Sequence, residues 1–290
     1  MKILTINTHS LQEENYPQKF KWFIEAILRE RPDIIAMQEV NQTMSAPSID
    51  TSLLDGYFPA PYFPSPSHPY IPIRQDNHAA QTARYFWESG IPCSWTWLPI
   101  KRGYDKYDEG LALFSLNDSI IHADAFRISN CSDYGNWRTR KILGIQLENN
   151  PSWFYTVHMG WWADKEEPFQ HQWNVLNTEL SQKRKAAPVW LLGDFNAPAG
   201  VQGESYDCIR YSGWQDTYLL AAQKDDGLTV EGVIDGWRDQ LAPSVKGMRI
   251  DYIWCSKKRA VRQSRVVFNG KHYPIVSDHY GVMIETEEIS

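Results

Sequence analysis

The chain has 290 residues, 42% of them hydrophobic and 22% charged, which gives it a substantial core and excludes a disordered or membrane-spanning composition. Its net charge of −6, with no long basic run, makes nucleic acid an unfavourable partner, because that binding draws most of its non-specific affinity from Lys and Arg on phosphates. Residues 1–30 lack a basic stretch followed by a long apolar one, and the four cysteines (Cys93, Cys131, Cys208, Cys255) form no Cys-x-x-Cys pair; a cytoplasmic protein with buried, reduced thiols and no membrane span is expected.

In chain order, residues 2–6 read as a strand that ends in Asn7. Pro17 marks a helix start, and Phe20, Phe23, Ile24, Ile27 and Leu28 recur at helical spacing before Pro32 stops the pattern. The apolar run 34–37 predicts a buried strand leading into Gln38, Glu39 and Val40. Residues 41–74 are irregular, with an aromatic and proline-rich run at 57–64, and are expected to form a loop arching over the site of Glu39. A helix is predicted over 75–88, then strands at 92–98, 110–116, 120–128, 140–147 and 152–158, the last ending in His158. Phe169, Trp173, Leu176 and Leu180 mark one face of a helix running to about Arg184. It feeds a buried run, 189–192, that ends in Gly193, Asp194, Phe195 and Asn196. Strands return at 249–255, which carries Asp251, at 263–268 and at 280–285, with Ser277, Asp278 and His279 just before the last. No repeat or linker divides the chain, so one α/β domain over 1–290 is expected, with mixed sheets covered by helices.

A lone Asn or His after a strand is ordinarily a cap or turn residue. An unpaired carboxylate at the rim of a core is costly and takes a partner, a metal or water. Several such strand ends together, with carboxylate, amide and imidazole represented, point to one shared polar site. Glu39 is the best candidate ligand for a hard cation such as Mg2+, and His279 the best general base near neutral pH. Asp194 and Asn196 are two apart, so on a continuing extended segment their side chains point the same way.

The set Asn7, Gln38-Glu39, His158, Gly193-Asp194-Phe195-Asn196, Asp251 and Ser277-Asp278-His279 resembles, in order, the endonuclease/exonuclease/phosphatase superfamily with its deoxyribonuclease I-like fold. The resemblance spans nearly the whole chain. It implies a four-layer α/β sandwich, two packed mixed β-sheets flanked by helices. It further implies a phosphoesterase using Mg2+, or Mn2+, with Asn7 and Asp278 completing the Glu39 metal site. By the same resemblance Asp251 supports His279, Asp194 positions the nucleophilic water, and Asn196 hydrogen-bonds a phosphate oxygen. His158, if protonated, would stabilise the equatorial phosphate oxygens or assist departure of the leaving group. No covalent nucleophile motif is evident, so direct attack by water is expected.

Substrate choice rests on the stretches between these motifs. There are thirteen tryptophans, and Trp161 follows His158 closely; aromatic faces beside a phosphate site suit sugars, bases or lipid headgroups. Arg138 and Arg140 are candidates to clamp a phosphate, with Lys106 a further candidate substrate contact. These stretches resemble a bacterial subgroup that includes maltose 6′-phosphate phosphatase and sphingomyelinase-like proteins. The expectation is a phosphomonoesterase on a small phosphorylated sugar. The alternatives are a phosphodiesterase (a nuclease or sphingomyelinase-like enzyme) and a non-catalytic interaction module. The sequence carries no marker of oligomeric state.

Overall fold

A computed structural model describes residues 1–61, 70–232 and 247–287. The first part of the chain forms β1 (Lys2–Asn7), α1 (Tyr16–Glu30), β2 (Ile34–Thr43), α2 (His78–Glu88), β3 (Ser94–Gly103) and β4 (Tyr107–Ser115). The middle adds β5 (Ile120–Arg127), β6 (Lys141–Leu147), β7 (Trp153–His158), α3 (Phe169–Glu179), α4 (Ser181–Ala186) and β8 (Val189–Asp194). After it come α5 (Ser205–Tyr211), β9 (Gln215–Asp216), α6 (Thr217–Leu220), β10 (Ala221–Lys224) and β11 (Val230–Glu231). The last part comprises β12 (Gly247–Met248), β13 (Asp251–Cys255), β14 (Val261–Val267) and β15 (Gly281–Thr286).

The strands build two large mixed sheets, in the orders β10-β14-β15-β1-β2-β4-β3 and β5-β6-β7-β8-β13-β9. Alternation along each strand creates the layers. Leu4 and Ile6 of β1 face α1 and α2, where they meet Phe23, Ile27, Ala79 and Phe86. Ile3, on the opposite face, packs with Ile34, Leu113, Leu143, Phe154, Leu192 and Ile253 between the sheets. Beyond the second sheet, Tyr155, Leu191 and Trp254 pack on Phe169, Trp173 and Leu176 of α3 and Ile209 of α5. Each fully buried side chain of this kind contributes roughly 1.5–3 kcal/mol, so the central layer holds the two sheets face to face. The expected α/β sandwich of two packed sheets flanked by helices is what the chain forms.

The differences from the sequence reading have local causes. β2 continues through Asn41, Gln42 and Thr43 because these residues pair with Glu109, Asp108 and Tyr107 of β4. The helix expected to reach Arg184 is two helices, with Leu180 ending one and opening the next. Residues 205–224, for which no elements were predicted, carry α5, β9, α6 and β10. Cys131 and Cys208 are only partly buried, while all four cysteines are free thiols. The last three residues of the aromatic and proline-rich run, 62–64, lie outside the described residues. The flanking part is held at the outer edge of the first sheet, where Phe58 N donates to Trp95 O at 2.7 Å and Trp95 N to Gly56 O at 2.9 Å. Backbone pairing to edge strand β3 therefore fixes residues 56–58 at the sheet edge. No described residue of 41–74 lines the pocket around Glu39.

Candidate active site

Strand register brings the polar residues to one end of the sandwich. In the second sheet His158 of β7 lies beside Asp194 of β8, and Asp194 lies opposite Asp251 of β13. In the first, Asn7 of β1 pairs with Gln38 of β2. Glu39 is turned out of the ladder by a bulge, where pairing with β4 jumps from Met37 to Val40 and Glu39 takes φ 50°. A left-handed non-glycine residue costs about 1–2 kcal/mol and persists only where its surroundings hold it. Here Ser10 Oγ donates to Glu39 O at 2.7 Å, and Thr8 Oγ1 donates to Gln38 O at 2.9 Å. Beneath the site Gln38 Nε2 donates to Thr156 Oγ1 at 2.8 Å, tying β2 to β7 across the two sheets.

Asn7 Nδ2 joins two carboxylates, at 2.9 Å from Glu39 Oε1 and 3.3 Å from Asp194 Oδ2. His279 Nδ1 lies 3.0 Å from Asp251 Oδ2, and its Nε2 faces Asp194 Oδ2 at 3.8 Å. His158 Nε2 stands 3.6 Å from the same Asp194 oxygen. Asp194 and Asn196 do not share a continuing strand. The chain turns after Asp194, Asn196 takes φ 46°, and its N–H donates to Asp194 Oδ1 at 2.8 Å. Both nevertheless line the same pocket, about 280 Å³, together with Glu39, His158, Asp278 and His279. Asp251 stands behind His279. A larger cleft of about 1060 Å³, between α1, α2 and residues 49–55, lies elsewhere and contains none of these groups.

The electrostatics follow from crowding. Burial, then Glu109 and Asp278, push the Glu39 carboxyl up against the opposing pull of His9 and Asn7. Burial, with Asp251 and Glu39, pushes Asp194 up to about 7. Burial works to lower His279, but Asp251 and Asp194 outweigh it and hold the ring well above its usual value. Burial and the cations Arg140 and Lys101 drive His158 well below, so it is a neutral imidazole rather than the protonated one considered from sequence.

Among the described residues, two three-residue groups have ligand atoms within 4.8 Å of one another, Asp194–Asp251–His279 and His9–Glu13–Asp278. Asp278, expected as a ligand, belongs to the second; Glu39 and Asn7 are hydrogen-bonded partners lying outside both triads. Burial first, and then neighbouring acids, raise the crowded carboxyls of Glu39 and Asp194, and their oxygen donors suit a hard divalent cation. The residues present fit such an ion.

A profile described as the Endonuclease/Exonuclease/phosphatase family matches residues 4–279. The chain belongs to this family. An endonuclease/exonuclease/phosphatase family protein from Leptotrichia buccalis C-1013-b is 30% identical, with a TM-score of 0.83 over 99% of this chain and 100% of that one. The mannosyl-6-phosphatase Bt3783 of Bacteroides thetaiotaomicron VPI-5482 has a similar fold at 16% identity and TM-score 0.63, covering 99% of this chain and 100% of its own. Truncated TDP2 of Caenorhabditis elegans does so at 14% and 0.60, covering 99% and 97%. No curated protein matches the chain.

Within this endonuclease/exonuclease/phosphatase site, two of the four expected substrate contacts line the pocket, Arg140 and Trp161. Trp137 joins them, its ring 5.4 Å from that of Trp161. Arg138 lies outside the lining: it pairs with Asp164 at 2.8 Å and Glu166 at 3.3 Å and stacks on Trp137. Lys106 is exposed near the tip of the β3–β4 hairpin, above the Tyr107 ring. His9, Lys101, Tyr104 and Glu109 line the pocket and were not singled out from sequence. Lys101 and Glu109 are register partners across β3 and β4, beyond the strands expected at 92–98 and 110–116.

Proposed function

We propose that this chain is a cytoplasmic, magnesium-dependent phosphomonoesterase acting on a phosphorylated sugar such as maltose 6′-phosphate. The observation that carries the reading is the His279–Asp251 pair facing Asp194 in a pocket whose lining also presents Glu39, Arg140, Trp137 and Trp161. The shared fold of the Bacteroides mannosyl-6-phosphatase supports a sugar phosphate as substrate. No helix among the described residues is long and apolar enough to cross a membrane.

Magnesium, or manganese in its place, would be held by Glu39 with Asn7 and Asp278 and would offset negative charge on the phosphate. Asp194 orients the attacking water, and His279 Nε2 accepts its proton as water adds opposite the leaving oxygen. Asp251 fixes the ring tautomer at Nδ1 and supports the imidazolium that forms. Positive charge brought to Glu39 favours the neutral form of His279 that a base requires. Neutral His158 and the Asn196 amide meet phosphate oxygens, where fixed donors oppose the charge that builds during transfer. The sugar rests on the Trp137 and Trp161 rings.

The test is phosphate release from maltose 6′-phosphate, lost on chelation and restored by Mg2+ or Mn2+. His279→Ala should lower kcat by roughly 10²–10⁴-fold, the usual size of a general-base contribution. Faster nicking of plasmid DNA, or faster phosphocholine release from sphingomyelin, would replace this reading with a diesterase one.

A further inference from the structure

We propose that Lys101 and Arg140 form a subsite for the doubly charged terminal phosphate of a monoester, and that this subsite discriminates against phosphodiesters. The inference rests on the phosphoesterase reading of the same pocket and names the charge state of the phosphate it selects.

Both side chains are buried, with residue exposures of 7% for Lys101 and 3% for Arg140. They converge on one acceptor: the Trp137 carbonyl receives Lys101 Nζ at 3.1 Å and an Arg140 terminal nitrogen at 2.8 Å. Two cations thus stand side by side at the wall of the pocket that also holds Glu39 and Asp194. Lys101 has a counter-ion, Glu109 at 3.1 Å. Arg140 has none; among the described residues no carboxylate lies within 4.0 Å of it. Its Nε is buried and makes no hydrogen bond.

A buried, unpaired guanidinium is strongly unfavourable, and a folded chain retains one where a ligand supplies the missing charge. The trigger is therefore an anion, and the geometry narrows its kind. The pair offers donors of two types, a planar fork and a point charge, suited to two terminal oxygens at once. A monoester phosphate has three terminal oxygens and about −1.5 to −2 charge at neutral pH. It can place two oxygens on this wall while the third faces the Glu39 side. In a diester one of those oxygens is esterified and the charge falls to a single unit. Its second substituent would meet the Trp137 backbone that anchors both cations.

The experiment measures binding as well as turnover. Inorganic phosphate and dimethyl phosphate are titrated calorimetrically into the Mg2+-loaded full chain, as wild type, Arg140→Gln, and the charge-balanced double variant Lys101→Met/Glu109→Gln. Kinetics on p-nitrophenyl phosphate and bis(p-nitrophenyl) phosphate run in parallel. Loss of charge-assisted bonds should weaken phosphate binding by roughly 10–100-fold in Arg140→Gln, with dimethyl phosphate changed less than about threefold. The monoester preference should fall in proportion. Equal losses on both ions, or unchanged phosphate binding, overturn the proposal. If Arg140→Gln fails to fold, the double variant decides by the same criterion. Selective phosphate binding through Arg140 in a protein that hydrolyses no ester leaves the subsite standing and removes the catalytic reading. Monoester turnover indifferent to both variants does the reverse.

Discussion

Asp194 owes its position to the residue before it. Gly193 takes φ 149°, and a Cβ there would lie 2.0 Å from Val157 O of the neighbouring strand and 3.0 Å from Gln38 Nε2. Gly193→Ala should therefore force β7 and β8 apart and destabilise the protein by more than about 3 kcal/mol, in the class of severe backbone clashes. Urea unfolding measures it, and an unchanged midpoint would mean the strands can yield. At this scale much of the site was legible. Glu39 and Asp194 each close a run of buried apolar residues, so their carboxyls had to sit at a core rim. Arg140 and Arg138 could not be told apart so easily. They lie two apart in an irregular loop, and Arg138 is drawn away by Asp164 and Glu166 from a segment distant in sequence. Lys106 was unreadable for a related reason: Tyr104 and Asp105, at φ 50° and 52°, turn the hairpin so that its exposed tip lies beyond the pocket.

Between elements, the decisive contact is the strut beneath the pocket. Gln38 Nε2 reaches Thr5 Oγ1 at 3.2 Å within its own sheet and Thr156 Oγ1 at 2.8 Å in the other. Replacing it with leucine leaves buried hydroxyls short of a partner, at about 1–3 kcal/mol. Because Glu39 follows Gln38 directly and His158 lies two residues after Thr156, Gln38→Leu should also lower kcat by about tenfold through misplacement. Denaturation and steady-state kinetics together test this; full kcat in a destabilised variant would show that the strut holds the fold but not the site. The buried strands and amphipathic helices were readable from period and burial. Hairpin register was not, and with it went Lys101 and Glu109, whose meeting depends on a shift in pairing between Pro99 and Lys101.

Across the whole molecule, Glu30 gathers distant parts of the chain. At the end of α1 it binds Lys2 Nζ at 3.1 Å, Arg265 of β14 at 2.7 Å and the Tyr273 hydroxyl at 2.6 Å. Burial tends to raise this carboxyl, but the bonds from Arg265, Tyr273 and Lys2 prevail and depress it from 4.5 to about 2. A depressed acid contributes stability that is complete above its unfolded value and lost as pH falls through its folded value. Glu30→Gln should accordingly cost about 1–2 kcal/mol at pH 7, after allowance for solvent screening, with the gap to wild type closing between pH 4.5 and about 2. Urea titrations across that range measure it, and a gap independent of pH would assign the effect to packing.

The path of the chain through the first sheet has a consequence for biosynthesis. β1 lies between β2 and β15, so one flank of the earliest strand is completed by the latest. The imidazole opposite Asp194 belongs to the segment just ahead of β15, and Ser277 Oγ donates to the backbone of Asn7 at 2.8 Å. On a nascent chain, Asn7, Glu39 and Asp194 are thus synthesised well before His279. Under the proposed function, the docking of that closing strand would complete the first sheet and bring His279 to the pocket in a single event.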